Sequence, residues 1–541
     1  MNKVDVSTEM FDVAIIGYGP TGLALAYWLG RAGHKTVVAD RWPELYSLPR
    51  AGHVDGEIMR LFQRMGMGEE IAGNSSVTKV TVVRDCDGEV LTSVPAEESD
   101  QGWEAHYSLF QPHLERALDA RVRATGNVTV LQGWQAENIE RRVDKTVKVS
   151  LAEGIGVRGV WGATGATMDV SARWLIGADG ANSVVADFID STPEDLGYKA
   201  RALVIFAERL DPTVGADMPD SEVGMNLTRP YVALRESGKR FARWEFMVHE
   251  HESTADMSAP EVAWKLIAPW GFTPDGARLV RHSVFEFRTI LAEKWRDANI
   301  LLAGDAAHRM PPHQGQGMCS GQRDAVGLAW RLDLVLRGVA DGRLLDSYME
   351  ERRPHVRQLT INSAERGQQF WLTDPESGRQ RDARMREGLL GDNLNKSYGA
   401  VPALTEGVLM KDVAGAVAPA GQLSPQFEVS VAGRRTLLDD VVGNGWLLIV
   451  RDAAALELLS SRANAAMQQI SAYVWVADGQ RPDDGPQDVD SSYNDWLDRL
   501  GLHCVLIRPD CYIFGGARDA EEMNYLSDSL LGQLHLNARL V

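Results

Sequence analysis

Cysteine is scarce. Cys86, Cys319, Cys504 and Cys511 are the four thiols in 541 residues, and no two stand at CxxC or zinc-ligand spacing. That excludes dithiol redox chemistry of the usual kind and a structural zinc, and it suits a reducing, cytoplasmic compartment. No apolar run approaches the roughly 18 residues of a membrane span, so no membrane partner is expected. Met1–Met10 is too polar for a secretory leader. Positive charge is short as well: 56 Lys and Arg stand against 75 Asp and Glu, a net charge of −19, which argues against nucleic acid as a partner. HExxH, a nucleophile elbow and a P-loop are all missing. His249 and His251 would share one face of a strand, but they lie in the charged run HEHES. No metal is expected.

What remains is 44% hydrophobic and 24% charged, the composition of a globular chain with a large core. At roughly 100–200 residues per domain the length predicts two to four units. The first is legible at once. Residues 12–16 (DVAII) form a buried strand, and Gly17-Tyr-Gly-Pro20-Thr21-Gly22 supplies GxGxxG, with Gly19 at its centre. A helix runs on to about residue 32, and a second strand over 36–39 ends at Asp40, with Arg41 beside it. Glycines allow the tight turn and the close approach of a pyrophosphate, while the helix start offers amide donors and a favourable dipole. Asp40 stands where an acid accepts hydrogen bonds from a ribose. This βαβ unit predicts a dinucleotide, either NAD or FAD.

Two later segments decide between them. Trp174-Leu-Ile-Gly-Ala-Asp179-Gly-Ala-Asn-Ser183 is again a strand entering an Asp-Gly turn. Residues 301–319, LLAGDAAHRMPPHQGQGMC, end an apolar strand in Gly304-Asp305, stiffen at Pro312, and strip side chains from a loop at Gly315 and Gly317 before a long helix. A nicotinamide enzyme needs no second glycine loop so far down the chain. A flavin does, because its pyrophosphate, ribityl chain and ring are spread over a long path. Asp305 is expected to hold the ribityl hydroxyls. The amides of Gly315, Gln316, Gly317, Met318 and Cys319 are expected to face the flavin edge where negative charge develops on reduction.

GYGPTG, GADGANS and GDAAHRMPPHQGQG, in that order, resemble the class A flavoprotein monooxygenases, the single-component FAD-dependent aromatic hydroxylases. The similarity covers residues 11–370. Within that group PRAGHVDGE (49–57), LFQP (109–112), RWEF (243–246) and AEKWR (292–296) resemble the 3-(3-hydroxyphenyl)propionate hydroxylase branch. The resemblance implies that Arg50 and Gln111 contact FAD, that Asp179 belongs to a motif shared by FAD and NAD(P)H binding, and that Asp305 binds the ribityl chain. Two positions depart from the pattern: Ala186 replaces a common Arg, and Cys319 replaces a common Asn.

The implied fold is α/β: a Rossmann-like FAD-binding domain (1–77, 106–200 and 291–395), an inserted β-sheet substrate domain (78–105 and 201–290) and a C-terminal thioredoxin-like domain lacking CxxC (396–541). The residues support the insertion directly, since 78–84, 202–208, 231–234, 240–248 and 279–287 alternate as strands do. After a loop-like stretch over 395–425, strands are expected at 446–450, 471–475 and 504–507, with helices at 453–464 and 520–533. This last unit is read as structural or as an oligomer contact, with a homodimer as the expected assembly.

The implied activity uses NADH or NADPH and O2 to hydroxylate a small phenol through a C4a-hydroperoxyflavin. The protein must exclude water, hold the ring and help the phenol lose its proton. His53, Asp55 and His313 are the candidates for that proton. Tyr231 and Arg243 are candidates for the phenol and an acidic side chain on it, unless Arg243 pairs with Glu245 instead. Two rival readings share the motifs: a hydroxylase or epoxidase of larger polyketide-type rings, and a flavoprotein oxidase or redox sensor. The WxWxIP of the flavin-dependent halogenases is absent.

Overall fold

A computed structural model describes residues 6, 8–157, 160–389, 398, 401–412, 415–416, 418–457, 459–478 and 485–536. The expected strand at the first fingerprint is Met10–Ile16, and Thr36–Asp40 follows it. Met10–Ile16 pairs in parallel with Thr36–Asp40 on one side and with Val160–Gly177 on the other. The sheet continues through Ile300–Leu302 on one side and Val128–Gln132 on the other. Its strands are nearly all apolar because helices cover both faces; Phe11, Val13, Ile15, Val38, Leu175, Ile176 and Leu301 are fully or almost fully buried.

The two glycine segments meet because the helices they start are neighbours. Helix Pro20–Arg31 packs along helix Gln316–Leu336. A Cβ on Gly321 would lie 2.2 Å from Thr21 Oγ1, and one on Gly304 2.6 Å from the same atom. Only hydrogen fits at those crossings, so motifs far apart in sequence are drawn onto one edge of the sheet.

The second sheet has eight strands in the order His308–Arg309, Ala277–Ala292, Pro193–Arg209, Phe241–Met247, Tyr231–Leu234, Ser221–Gly224, Val80–Arg84, Val90–Pro95. It contains every strand expected for the insertion. Ser221–Gly224, Val90–Pro95 and the short His308–Arg309, not anticipated, complete it. Its outer face carries Trp244 and Phe246 against helix Pro260–Ile267, and its inner face carries Val204, Phe206 and Val223 towards Phe370 and Trp371. A third, small sheet of His53–Asp55, His106–Ser108 and Ser76–Val77 bridges the two larger ones.

The C-terminal unit is built on four strands in the order Tyr473–Val476, Leu447–Val450, Cys504–Ile507, Ile513–Ala517. The first pair is parallel and the others antiparallel. Helix Ala520–Gln533 stands as expected. The helix expected over 453–464 is divided into Ala453–Leu456 and Ser461–Gln469, because the Ser460 hydroxyl accepts from Ala463 N and caps a new start. Of the loop-like stretch 395–425, residues 395–397, 399–400, 413–414 and 417 lie outside the described residues.

Buried charge ties this unit to the rest. Arg60 forks onto Asp439 at 2.7 and 2.9 Å, and Arg508 forks onto Glu351 at 2.6 and 2.8 Å. Trp330 Nε1 donates to Asp510 at 2.8 Å, and Tyr512 Oη donates to Glu57 at 2.9 Å.

Candidate active site

The first turn has the shape a pyrophosphate requires. Gly17 sits at φ +104°, where a Cβ would fall 2.2 Å from the Ala178 carbonyl, whereas nothing lies within 4 Å of a Cβ on Gly19. The first glycine is needed for the turn and the second leaves open space. Pro20 occupies the first helical turn with no side-chain cap on its amides. Asp40 is fixed at its strand end by Tyr18 N at 2.7 Å and Trp42 N at 2.8 Å; each carboxylate oxygen keeps a second lone pair for a ribose. Arg41 is exposed over the Trp42 ring.

The resemblance residues divide into exposed and supporting groups. Arg50 is exposed and stacks on Tyr46 at 4.2 Å. Gln111 positions it: its oxygen accepts from Arg50 N and Ala51 N, and its nitrogen donates to Glu115 at 2.6 Å. Glu115 has lost so much water that its carboxyl is pushed up to about 7. Asp179 caps the turn behind it, accepting from Ser183 Oγ and Val184 N. Asp305 stands exposed at a hollow of about 240 Å³ shared with Asn182, Ser183 and Arg309. Among the described residues its carboxylate takes no partner, as a group reserved for hydroxyls would be.

Gly315 lies at φ +66° and starts the 21-residue helix without a side-chain cap. Its first-turn amides and the helix dipole therefore favour negative charge at this end. Pro312 opens the short turn before it, and Gly317 has only Met310 near a Cβ, at 3.7 Å. Gln316 points inward, bonding Asp55 and Arg323; of this residue only the backbone is left for the flavin. Met318 is half-buried. Cys319 is fully buried and its thiol is raised well above the ordinary value by burial, so it is inert.

The three proton candidates separate. His53 lies directly under the glycine loop. Its Nδ1 is 3.4 Å from Gly315 O, its Nε2 is 3.2 Å from His106 Nδ1, and the Tyr398 ring stacks on it at 3.9 Å. Burial, then His106, holds its pKa down to about 3. Asp55, two residues on, caps helix Gly56–Arg64 through Ile58 N and accepts from Gln316 and from Arg323 at 2.7 Å. Although buried, it is held down to about 2, chiefly by Arg323. Its carboxylate is engaged within the fold, beneath the glycine loop. His313 Nε2 bonds Tyr198 Oη at 2.9 Å, and its ring lies edge-on to Trp371 and packs on Gly367; that nitrogen is engaged within the fold.

The two substrate candidates also part. Arg243 is on the inner face, near the Phe206 ring, and ion-pairs with buried Glu245, the alternative the sequence left open. Tyr231 lies on the outer face, edge-on to Trp270, and donates to Glu222 at 2.6 Å. The sheet's pleat puts its ring on the face away from Arg243 and Phe206.

Sequence reasoning passed over several supporting groups. Asp324 holds the GDAAH turn through Gly304 N and His308. Arg323 joins Asp55, Glu57 and Gln316. His106 and Glu97 extend from His53. The segment GQRDA (321–325) was the only local signal for the first two. Among the described residues no cluster of potential metal ligands occurs and no helix is long and apolar enough to cross a membrane.

Residues 10–363 match the family described as FAD binding domain, and residues 421–533 match the HcaD C-terminal domain. A protein of Rhodococcus jostii (strain RHA1) named Probable NADH-specific resorcinol 4-hydroxylase is 34% identical over 96% of this chain and 94% of its own length. The 3-(3-hydroxy-phenyl)propionate/3-hydroxycinnamic acid hydroxylase of Mycolicibacterium smegmatis (strain ATCC 700084 / mc(2)155) is 30% identical over 97% and 93%. Among solved structures, the flavin-dependent monooxygenase PieE in complex with FAD and substrate superimposes with a TM-score of 0.78 at 20% identity, covering 98% of this chain and 99% of that one. Aklavinone-11 hydroxylase with FAD and aklavinone gives 0.75 at 22% identity, over 97% and 99%. With the flavin motifs gathered at one sheet edge beneath a second sheet, the chain belongs to the FAD-binding-domain family of class A flavoprotein monooxygenases.

Proposed function

We propose that this chain is an FAD- and NAD(P)H-dependent monooxygenase that hydroxylates a small, uncharged phenol of the resorcinol type, with His53 as the group that receives the phenol proton. The observation that carries the reading is the position of His53, a buried neutral imidazole directly against the capless glycine loop. FAD, when bound, supplies electron transfer from the nicotinamide and the activation of O2. The chain supplies the rest. Asp305 and the fingerprint glycines hold the dinucleotide, the helix start after Gly315 favours negative charge, and the eight-stranded sheet shields the site from water.

Ring size and side chain follow from neighbouring groups. The stacking of the Tyr398 ring on His53, which closes that side of the imidazole, supports a single ring over a polyketide. Arg243 is already paired with Glu245, so it is not free for a propionate side chain. NADH is the donor named for the Rhodococcus relative, and we extend it to this chain.

Three further readings are ours. The parallel pair followed by an antiparallel hairpin is thioredoxin-like, with the unit boundaries read from the sequence. The four unpaired thiols favour the cytoplasm. A homodimer is the expected assembly, measurable by light scattering.

The test is anaerobic reduction of bound FAD by NADH with resorcinol, 3-hydroxyphenylpropionate and a tricyclic phenol in turn. Resorcinol should accelerate reduction at least about tenfold, the effect of a population shift of about 1.4 kcal/mol, and should yield a hydroxylated product in air. Equal rates with and without every phenol, with peroxide as the sole product, would replace this reading by an oxidase or sensor.

A further inference from the structure

Three side chains on one face of helix Gln111–Ala124 reach the segments assigned to FAD. Gln111, Glu115 and Asp119 follow one another at successive turns, so they line up along the helix. Gln111 Oε1 accepts from Arg50 N at 3.1 Å and from Ala51 N at 2.6 Å, and its Nε2 donates to Glu115 Oε1 at 2.6 Å. With two N–H donors at one end of the amide, the oxygen must stand there, and the nitrogen needs an acceptor at the other end. Glu115 is that acceptor. One turn on, Asp119 accepts from Tyr18 Oη at 2.8 Å, while Tyr18 N donates to Asp40 at 2.7 Å. Tyr18 belongs to GYGPTG, so the fingerprint turn is tied through backbone and side chain. The same helix packs against Pro20–Arg31, which that turn starts.

Packing alone does not account for these acids. Like charges one turn apart repel, and Glu115, at 2% exposure, is faced by Asp40 as well as by Arg50 and Arg116. Burial raises its carboxyl to about 7, so its ionisation works against the folded state. An apolar side chain would suit the position better by that measure. What Glu115 does that an apolar residue cannot is fix which way the Gln111 amide faces.

We propose that Glu115 and Asp119 are positioning residues of the FAD site, Glu115 acting through Gln111 on the Arg50–Ala51 segment and Asp119 acting through Tyr18 on the fingerprint turn. Neither needs to touch FAD. The helix is a rail that joins two dinucleotide-holding segments by its own side chains, so that binding does not have to order them. Arg50, stacked on Tyr46 at 4.2 Å, is presented from a backbone whose amide is tied to Gln111, as is that of Ala51. The proposal rests on the binding of FAD by this family and not on the identity of the phenol.

The test is titration of the full-length apoprotein with FAD, read by flavin fluorescence, with circular dichroism reporting the fold. Glu115→Leu and Gln111→Glu should each weaken binding at least about tenfold, the effect of losing one hydrogen bond to a charged group. Gln111→Glu does so by setting two carboxylates against each other. The exchanged pair, Gln111→Glu with Glu115→Gln, restores the order of donors and acceptors, because a carboxylate at 111 accepts from both backbone amides and from the side-chain amide at 115. Its affinity should return to within about threefold of wild type. Adding Glu115→Leu to Arg50→Ala should cost no more than about twofold beyond Arg50→Ala alone, since both act on one segment. Tyr18→Phe and Asp119→Leu remove one bond from its two ends, and together should weaken binding no more than either does alone. An exchanged pair no better than Gln111→Glu, or losses that simply add within the Arg50 or the Tyr18 pair, would overturn the positioning roles. The exchanged pair decides for Glu115 where Glu115→Leu does not fold. Phenol turnover is not read, so the hydroxylase reading stands or falls by its own test.

Discussion

Gly315→Ala places one methyl group where the catalytic geometry has least tolerance. The residue sits at φ +66°, and a Cβ there would stand 2.6, 2.8 and 2.9 Å from Nδ1, Cγ and Cβ of His53. Ordinary contact begins at 3.4 Å, so the two segments must part by 3.4 − 2.6 = 0.8 Å. Rotation of the imidazole gives no escape, because the His53 Cβ is among the atoms struck. The left-handed conformation costs alanine about 1 kcal/mol and overpacking about 1–3 kcal/mol. The stiffer unfolded chain returns about 0.4–1 kcal/mol. A net loss of about 1–3 kcal/mol leaves a protein of this size folded. Function is hit harder, since a displacement near 1 Å at a reacting group costs about a hundredfold. Air-saturated assays with resorcinol should show FAD retained, product per NADH reduced by at least about tenfold, and hydrogen peroxide raised in proportion. A folded Gly315→Ala enzyme with wild-type coupling would refute the contact between His53 and the loop as the determinant of chemistry.

Three other outcomes follow from the same structure. Asp305→Ala leaves the ribityl hydroxyls unpaired at about 1–3 kcal/mol, so FAD affinity by fluorescence titration should fall roughly ten- to a hundredfold with the fold intact. The Glu115 carboxyl is raised by burial to about 7. The folded state therefore binds the extra proton, and stability declines as pH rises from the ordinary carboxylate value of about 4.3 through 7; Glu115→Gln should raise the apoprotein's melting temperature at pH 8 and leave it nearly unchanged at pH 4. Tyr512→Phe removes a hydrogen bond to the Glu57 carboxylate, worth about 1.5–3 kcal/mol. Loss of flavin-loop order should appear as a changed visible spectrum of bound FAD, and an identical spectrum and melting temperature would sink that coupling.

The legible parts were those whose cause is local. GYGPTG and GDAAH could be read because each glycine answers a crowding within a few residues or at the crossing of two adjacent helices. The inserted strands could be read because a period of two is written into them. Tyr231 shows where such reading stops. Alternation says which residues share a face, but the packing of helix Pro260–Ile267 decides which face looks outward. Asp55 and His313 were plausible bases by type, and only the positions of Arg323 and Tyr198 show them engaged. The network behind the site left almost no trace, because its partners are remote in the chain: Glu57 and Tyr512 are 455 residues apart, and Arg60 and Asp439 are 379 apart. His106 is invisible in sequence until its strand is known to lie beside that of His53.

The charged seam beneath the C-terminal unit bears on how this enzyme could have been assembled and how it can be cut. A chain ending near residue 400 would take Asp439 from Arg60 and leave Glu351 to Arg331 alone, baring a surface that the C-terminal unit now covers. The loss of one partner from a buried pair costs as much as about 3–5 kcal/mol, a large share of the stability of an ordinary domain. The last 140 or so residues are therefore no detachable appendage, although they hold none of the groups assigned to flavin or substrate. Their removal would be felt at the glycine loop through Tyr512, Glu57, Arg323 and Gln316. Shuffling this terminus between related hydroxylases should succeed only where the arginines and acids on both sides of the seam are exchanged together.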